Sequence, residues 1–524
     1  MFGTTGIKLS GLHCLQQETR ARKACMKFLF LHIIQLKDSL YLCLWTIRLA
    51  YRLSQPKQVL SYNPHTISNM KKSFSTIWLA VAATLTFSLP SCSDNDHQTD
   101  AEEITRPAAA IVNRTECSGF WRYDFTYGTV DADGKTPITL SAAIFMTPDV
   151  HDKHVQAKGC GLINHYTITA DHQRPTNVTS GLTLEGVLAN TNYIMIESDG
   201  FGFGIDAPHS QRYLQGRAAA RVNIDAFLAG RQLLKEEGFE FGDVTLNLGY
   251  SQGGHSGMWV NRLVAEGYRS DELPKIDYCI IGGGSYDMYS HYRYLAAESL
   301  SQYPVALPLI LSGMIDAGGN KVKNEDIFDD GFVPYLTELF DTKQHDTDYI
   351  NSFIYDHYGT TKDQGLPIDQ LVKQSFFDET SEPMKDIIYH LKQNSLVYEA
   401  WTPDKTDRIT FVHARTDEVV PFLNQEKMAD FLLANGYTAF DIDDSSKNLH
   451  TNTGFYYVLK ATACLSAFVP AGQKDAWSAA PQVSTYDIYR PDGRLVCKQT
   501  TLIDAYRMLP PGVYVINGKT MVKE

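Results

Sequence analysis

One short stretch carries most of the structural information in this sequence: Val244-Thr245-Leu246-Asn247-Leu248-Gly249-Tyr250-Ser251-Gln252-Gly253-Gly254. Its first five residues are mainly apolar or β-branched, which predicts a buried strand. The apolar positions from Gly253 to Glu266 recur at helical spacing and predict a helix. The connection between the two has to be tight, and the glycines on either side of Ser251 remove side chains that would crowd it. Such a turn presents the Ser251 hydroxyl at a helix N-terminus, where the dipole favours a developing negative charge.

A serine hydroxyl needs a general base before it can act as a nucleophile. Asp417 follows a predicted strand at Ile409–Val412, and His450 follows a weaker one at Phe440–Asp443. Because the carboxyl ends of parallel strands meet at one edge of a sheet, we expect Ser251, Asp417 and His450 to converge there. His450 would then take the proton from the serine while Asp417 holds the imidazole in the required tautomer.

Other residues are alternatives for parts of this arrangement. Glu418 is adjacent to Asp417 and is an alternative acid, and Asp316 is a weaker one. His255 is too close to Ser251 along the chain to be its base, and we expect a structural role for it. The alternative interpretation of the three candidate residues is a glycine-rich connection, a solvated loop carboxylate and a surface histidine.

Short apolar strands alternate with amphipathic helices along the chain, which indicates a mostly parallel sheet flanked by helices. With Gly-Tyr-Ser-Gln-Gly-Gly at 249–254 and the loop at 413–421, the chain resembles the α/β-hydrolase superfamily over roughly residues 119–468. It is most similar to secretory lipases and related secreted esterases. The resemblance implies an α/β-hydrolase fold, a catalytic triad of the serine, aspartate and histidine named above, an oxyanion hole, and a cap over the acyl site.

The oxyanion hole implied by the resemblance needs two backbone N–H donors. Gln252, the residue after the nucleophile, supplies one. The second is expected from the loop after the family's third strand, where members usually have His-Gly and this chain has His165-Tyr166. We therefore expect Tyr166 to be the second donor, and the alternative is a conventional strand end. No cysteine or histidine cluster has metal-binding spacing, so we expect neither a metal nor another cofactor.

The strand–helix pattern is interrupted by residues 285–403, which we call the insertion. It has no clear strand–helix alternation, and a structureless loop of that length is implausible in a compact domain, so we expect a helical cap. The hydrolase core then has a first part at 119–284 and a second part at 404–470. Residues 485–524 contain two predicted β segments, interpreted as a small C-terminal β module or as an edge hairpin of the main sheet.

The front of the chain differs in composition from the rest. Residues 1–72 contain 11 Lys and Arg but only two acids, and the next 20 residues are uncharged. Basic residues at Met70-Lys71-Lys72, an apolar segment and then Leu89-Pro90-Ser91-Cys92 have the layout of a bacterial lipoprotein signal peptide, with Cys92 as the lipidated residue. A membrane anchor is the alternative, although the apolar segment is short for a span.

This interpretation assigns the remaining N-terminal segments. The signal peptide spans residues 70–92, so residues 1–69 are spurious upstream translation or an extra leader. Residues 93–118 are interpreted as an acidic tether, since the run after Cys92 is polar and acidic.

The sequence thus predicts an exported serine hydrolase that cleaves carboxylic esters of a small-molecule or lipid substrate. We expect it to be anchored to the outer membrane through lipid on Cys92, at the cell surface or the periplasmic face. The net charge of −13 argues against nucleic-acid binding. Alternatives are a serine peptidase of the aminopeptidase type or an acyltransferase of the same fold, and less favourably a non-catalytic surface-binding lipoprotein.

Overall fold

The computed structural model describes residues 106–298, 300–469, 485–501, 505, 508–510, 512–516 and 519–523. The predicted signal peptide, Cys92 and the segment before them lie outside the described residues. Within the described part of the chain, no helix combines the length and the apolar character that a membrane span needs.

The main sheet has nine strands in the order β1-β2-β3-β5-β4-β6-β7-β10-β11. Its strands are β1 Ala110–Glu116, β2 Trp121–Val130, β3 Pro137–Met146, β4 Ala157–Asn164, β5 Ile194–Ser198, β6 Phe241–Tyr250, β7 Tyr278–Gly282, β10 Ile409–Val412 and β11 Phe440–Asp443. Strands β5, β4, β6, β7, β10 and β11 pair in parallel, and the pairs at the β1 end of the sheet are antiparallel. The sheet is therefore mostly parallel, as predicted.

Twelve α-helices occur among the described residues. They are α1 Pro148–Lys153, α2 Leu184–Ala189, α3 Gly216–Glu236, α4 Gln252–Ala265, α5 Met288–Ala297, α6 Ala306–Ala317, α7 Asn324–Ile327, α8 Thr347–Tyr358, α9 Ile368–Leu371, α10 Glu382–Gln393, α11 Leu423–Ala434 and α12 His450–Ala467. The insertion contains α5 to α10 and a short antiparallel pair, β8 Leu300–Ser301 with β9 Leu366–Pro367.

Both faces of the main sheet are covered, as β7 shows most clearly. All five of its residues are buried, and successive side chains point to opposite faces. Cys279 and Ile281 join the apolar cluster that contains residues of α3 and α4. Ile280 joins the other cluster, which contains residues of α2 and α12. Burial on both faces explains why the central strands are nearly continuous apolar runs.

The insertion has an apolar cluster distinct from those of the main sheet. Its buried members include Ile327, Phe332, Ile350 and Ile354, together with Tyr213 from the chain before α3. The insertion is therefore mainly helical and packs around its own core.

Three sequence predictions need correction. Residues 93–118 were expected to form a tether, but Ala110–Glu116 is strand β1, paired antiparallel with β2. The C-terminal region has four strands rather than two, β12 Thr485–Tyr489, β13 Leu495–Thr501, β14 Gly512–Ile516 and β15 Lys519–Lys523. They form a separate sheet in the order β13-β12-β14-β15, so the edge-hairpin alternative is wrong. His450, which the sequence placed after β11, is the first residue of α12.

Candidate active site

Ser251 lies in the turn between β6 and α4, with φ 59° and ψ −119°. A residue with a side chain rarely adopts this conformation, and the surrounding structure has to hold it. The Ser251 N–H donates to Gly282 O at 2.9 Å, and the His255 N–H donates to Ser251 O at 3.1 Å. These bonds attach the turn to the end of β7 and to the first turn of α4.

The glycines around Ser251 are required by close backbone contacts. A Cβ on Gly249 would lie 2.2 Å from Gly253 O, and one on Gly253 would lie 2.0 Å from Asn164 O. A Cβ on Gly254 would lie 2.2 Å from Gly282 O. Since backbone atoms cannot move aside as a flexible side chain can, the turn tolerates no larger residue at these positions.

The three residues expected to converge do lie together. Ser251 Oγ is 2.8 Å from His450 Nε2, and His450 Nδ1 is 2.7 Å from Asp417 Oδ2. An ionised carboxylate can only accept, so Nδ1 carries the hydrogen. In the neutral imidazole Nε2 then has the lone pair and accepts from the serine hydroxyl, which is the arrangement a general base requires.

The loop after β10 fixes the position of Asp417. Its Oδ1 accepts the backbone N–H groups of Val419 and Val420 at 3.0 and 2.8 Å. His413, which is fully buried, donates from Nε2 to Val420 O at 2.9 Å and lies 3.4 Å from Asp417 Oδ2. His413 was not among the predicted site residues. Its position directly after β10 and before the loop of Asp417 could have indicated that it supports this aspartate.

The electrostatic environment matches the pairing of Asp417 with His450. Burial raises the pKa of Asp417, but His450 and the hydrogen bonds from His413 and His450 outweigh burial and hold that pKa well below its usual range. Burial lowers the pKa of His450, whereas Asp417, and to a lesser extent Glu418, raise it to a net value above the ordinary one. The carboxylate is therefore ionised at neutral pH and stabilises an imidazolium.

The alternative acids make other contacts. Glu418 Oε2 accepts the backbone N–H of His450 at 2.8 Å, so it fixes the start of α12. Asp316, on α6, accepts from Arg212 at 2.8 Å and from Gln215 at 2.6 Å. His255 is fully buried and its Nε2 lies 2.8 Å from Asn394 O, consistent with the expected structural role.

The two candidate oxyanion donors are Gln252, the residue after the serine, and Tyr166, from the loop after β4. Gln252 is the first residue of α4, and the N–H groups of a helix's first turn have no partner within the helix. Tyr166 follows β4, and its ring centroid is 4.4 Å from that of His165. Both residues line the cavity that contains Ser251 and His450. Their catalytic roles remain predictions.

This cavity has a volume of about 500 Å³, within the range of small-molecule sites. Leu184 at the start of α2 and Phe455 and Val458 on α12 contribute apolar wall from the main fold. Leu309 and Ile310 on α6 contribute apolar wall from the insertion. The site is therefore bounded by the carboxyl edge of the sheet on one side and by the insertion on another.

One group of described residues has the chemistry of a metal site, namely His165, Glu185 and Glu197. The sequence analysis did not connect them, because they come from a loop, a helix and a strand that are separated along the chain.

Comparisons with known proteins identify similar folds. No protein-family model matches the chain, and no curated protein matches it by sequence. Among solved structures, the rice cell wall degrading esterase LipA from Xanthomonas oryzae is 18% identical over 69% of this chain and 96% of its own, with a TM-score of 0.56. A ligand-bound form of LipA gives a TM-score of 0.55 at 19% identity, with 69% of this chain and 96% of that one covered. A Legionella pneumophila protein provisionally described as a hydrolase is 17% identical, covers 67% of this chain and 90% of its own, and has a TM-score of 0.54. With the sheet order and the site described above, these likenesses show that the chain has the α/β-hydrolase fold.

Proposed function

We propose that the protein is a serine hydrolase that cleaves carboxylic esters with Ser251, His450 and Asp417. The observation that carries the proposal is the continuous series of contacts from Ser251 Oγ through His450 to Asp417, at 2.8 and 2.7 Å. The fold neighbour LipA is described as an esterase, which supports the same reaction class.

The residues divide the reaction between them as follows. His450 Nε2 takes the hydroxyl proton as Ser251 Oγ attacks the ester carbonyl, and the resulting oxyanion accepts hydrogen bonds from the backbone N–H groups of Gln252 and Tyr166. His450 returns that proton to the departing alcohol, which leaves an acyl-enzyme. Water then loses a proton to His450 and attacks the acyl carbon, and the proton returns to Ser251 as the acid leaves. Ser251 and His450 are then back in their initial protonation states, and the serine no longer carries an acyl group.

The cavity suggests which part of the substrate the protein selects. Apolar side chains from both the main fold and the insertion line the cavity that contains Ser251, so we propose that they bind the acyl chain of the substrate. We further propose that the chain is exported by the signal at residues 70–92 and anchored through lipid on Cys92, based on the sequence layout.

Substitution of the nucleophile tests the reaction. Ser251→Ala removes the attacking oxygen, and we expect kcat/KM for chromogenic acyl esters to fall by at least ~10⁴-fold. Ser466→Ala is the matched control, because the Ser466 hydroxyl donates to Thr462 O within its own helix. Both variants are expected to melt within a few degrees of wild type. Undiminished hydrolysis by Ser251→Ala would exclude the proposal.

A specific observation favours a second candidate, a peptidase acting on substrates with a free amine. Asp346 and Asp348, at the N-terminal end of α8, line the cavity and offer carboxylates to a cationic group. An aminopeptidase would hydrolyse aminoacyl amides in preference to simple acyl esters. A parallel assay of aminoacyl p-nitroanilides and p-nitrophenyl esters separates the two, and we expect the esters to be hydrolysed faster.

A further inference from the structure

A second cluster of reactive groups lies beside the candidate oxyanion loop and takes no part in the proposed reaction. His165 follows β4, Glu185 is on α2 and Glu197 is on β5. One ring nitrogen of the histidine and one carboxylate oxygen of each glutamate all lie within 4.8 Å of one another. Three separate elements therefore bring their polar atoms to one point inside the protein.

The two carboxylates of the cluster are buried, and their electrostatics are unfavourable without a positive charge. Glu185 is 0% exposed and Glu197 is 1% exposed. Neither oxygen of Glu197 has a hydrogen-bond partner. A buried carboxylate without a hydrogen bond is costly, and a second carboxylate beside it adds repulsion. Such a site has to be neutralised by a cation or by protons.

The imidazole is oriented as a metal ligand needs. His165 Nδ1 lies 2.6 Å from Tyr166 O. Because a carbonyl oxygen only accepts, Nδ1 carries the hydrogen, and in the neutral ring Nε2 then has the lone pair that a cation requires.

We propose that His165, Glu185 and Glu197 bind one divalent cation, and that their donor set selects Zn²⁺. One imidazole and two carboxylates are ligands that Zn²⁺ accepts, whereas Ca²⁺ takes oxygen ligands only. Bonds to Zn²⁺ are about 2.0–2.2 Å long, so the donors of one tetrahedral ion lie about 3.4 Å apart. The donor atoms here lie within 4.8 Å of one another, so binding requires them to move together by up to about 1.4 Å. The ion would tie the end of β4 to α2 and β5, directly before Tyr166.

Ion binding and melting temperature test the proposal independently of catalysis. Purified, untagged protein is dialysed against EDTA and then against buffer, and titrated with ZnCl₂, MnCl₂ or CaCl₂ by calorimetry while its melting temperature is recorded. We expect Zn²⁺ to bind at about one ion per chain and to raise the melting temperature, because a ligand that binds only the native state stabilises it. Ca²⁺ is expected to bind at least ~10-fold more weakly.

A matched pair of variants locates the ion. Glu197→Gln removes one ligand charge and is expected to lose the Zn²⁺-dependent rise in melting temperature. Glu240→Gln is the control, because it makes the same change at an exposed residue just before β6. Circular dichroism checks that both variants fold. If Glu197→Gln does not fold, the wild-type titration alone tests whether the protein binds Zn²⁺. Wild-type protein that binds none of the three ions, or a Glu197→Gln variant that binds Zn²⁺ as wild type does, would overturn the proposal in favour of carboxyl groups that share protons.

Discussion

The turn around Ser251 and the insertion differ in what packs together: neighbouring backbone segments in the turn, and apolar side chains in the insertion. In the turn, added Cβ atoms on three glycines would meet backbone oxygens at 2.0 to 2.2 Å. In the insertion, buried apolar side chains such as Ile327 and Ile350 pack around a separate cluster. The first region leaves no freedom in residue type, whereas the second can exchange side chains of similar volume. We infer that the turn fixes the chemistry and that the insertion adjusts the substrate.

The largest expected effect comes from removing the carboxylate that pairs with the histidine beside the turn, compared with removing a carboxylate in the insertion. Asp417→Asn replaces the carboxylate that accepts from His450 Nδ1, and we expect kcat to fall ~10⁴-fold because the imidazole loses the required tautomer. Asp316→Asn makes the same change in the insertion and is expected to leave kcat within a few-fold of wild type. Steady-state kinetics on an acyl ester measures both, and equal losses would remove the distinction between the regions.

Glycine substitutions test the backbone contacts. In Gly253→Ala the new Cβ meets Asn164 O, so the turn has to open, and we expect a loss of about 3 kcal/mol in stability together with most of the activity. Gly331→Ala is the counterpart in the insertion, where the residue is exposed and the nearest atom is a side-chain oxygen of Asp329 at 3.0 Å. That variant should stay within ~0.5 kcal/mol of wild type. Urea unfolding gives both values, and comparable losses would contradict the packing difference.

Two buried leucines of the insertion's apolar cluster differ in whether they line the cavity. Leu309 lines the cavity, and Leu309→Ala should shift the preference among acyl chain lengths by ~10-fold or more, since a methylene in an apolar pocket contributes about 1–3 kcal/mol. Leu339 belongs to the same cluster but is not among the residues that line the cavity. Both alanine variants should cost about 2–5 kcal/mol of stability, and Leu339→Ala should leave the preference unchanged. The measurement is kcat/KM for a series of p-nitrophenyl esters. An unchanged order of preference in Leu309→Ala would show that the insertion does not form the acyl site.

The smallest expected effect is a shift in pH dependence. Glu418 is one of the groups that raise the pKa of His450, and the histidine has to be neutral to accept the serine proton. Glu418→Gln removes that charge and lowers the pKa of His450, so activity should persist to lower pH than in wild type. The amide oxygen can still accept the His450 N–H. Profiles of kcat/KM against pH measure the shift, with Glu426→Gln, an exposed glutamate on α11, as the control; a shift toward higher pH would contradict the assigned charge effect.

The sequence predicted where Ser251, Asp417 and His450 meet because its signals are local. A strand, a glycine-rich turn and a helix follow one another at Ser251, and Asp417 and His450 each come after an apolar strand. The parallel order of β6, β7, β10 and β11 then brings the three residues to one edge. Their proximity followed from sheet geometry, and their catalytic roles still require the experiments above.

Features that depend on distant contacts were not predictable in the same way. Leu449, at the N-cap of α12, makes no side-chain capping bond. The His450 N–H is instead accepted by Glu418, which lies 32 positions before His450. Strand β1 is mostly exposed and mixed in character, so its pairing with β2 left no periodic signal. The cluster of His165, Glu185 and Glu197 assembles only when the elements that carry its residues pack together.

The central claim is that the Ser251 hydroxyl is an activated nucleophile. A fluorophosphonate probe forms a covalent bond with such a serine, and peptide mapping by mass spectrometry locates the adduct. We expect one adduct per chain, on Ser251, and strongly reduced labelling when His450 is replaced by alanine. Absence of an adduct from folded protein, or an adduct on another residue with Ser251 unmodified, would contradict it.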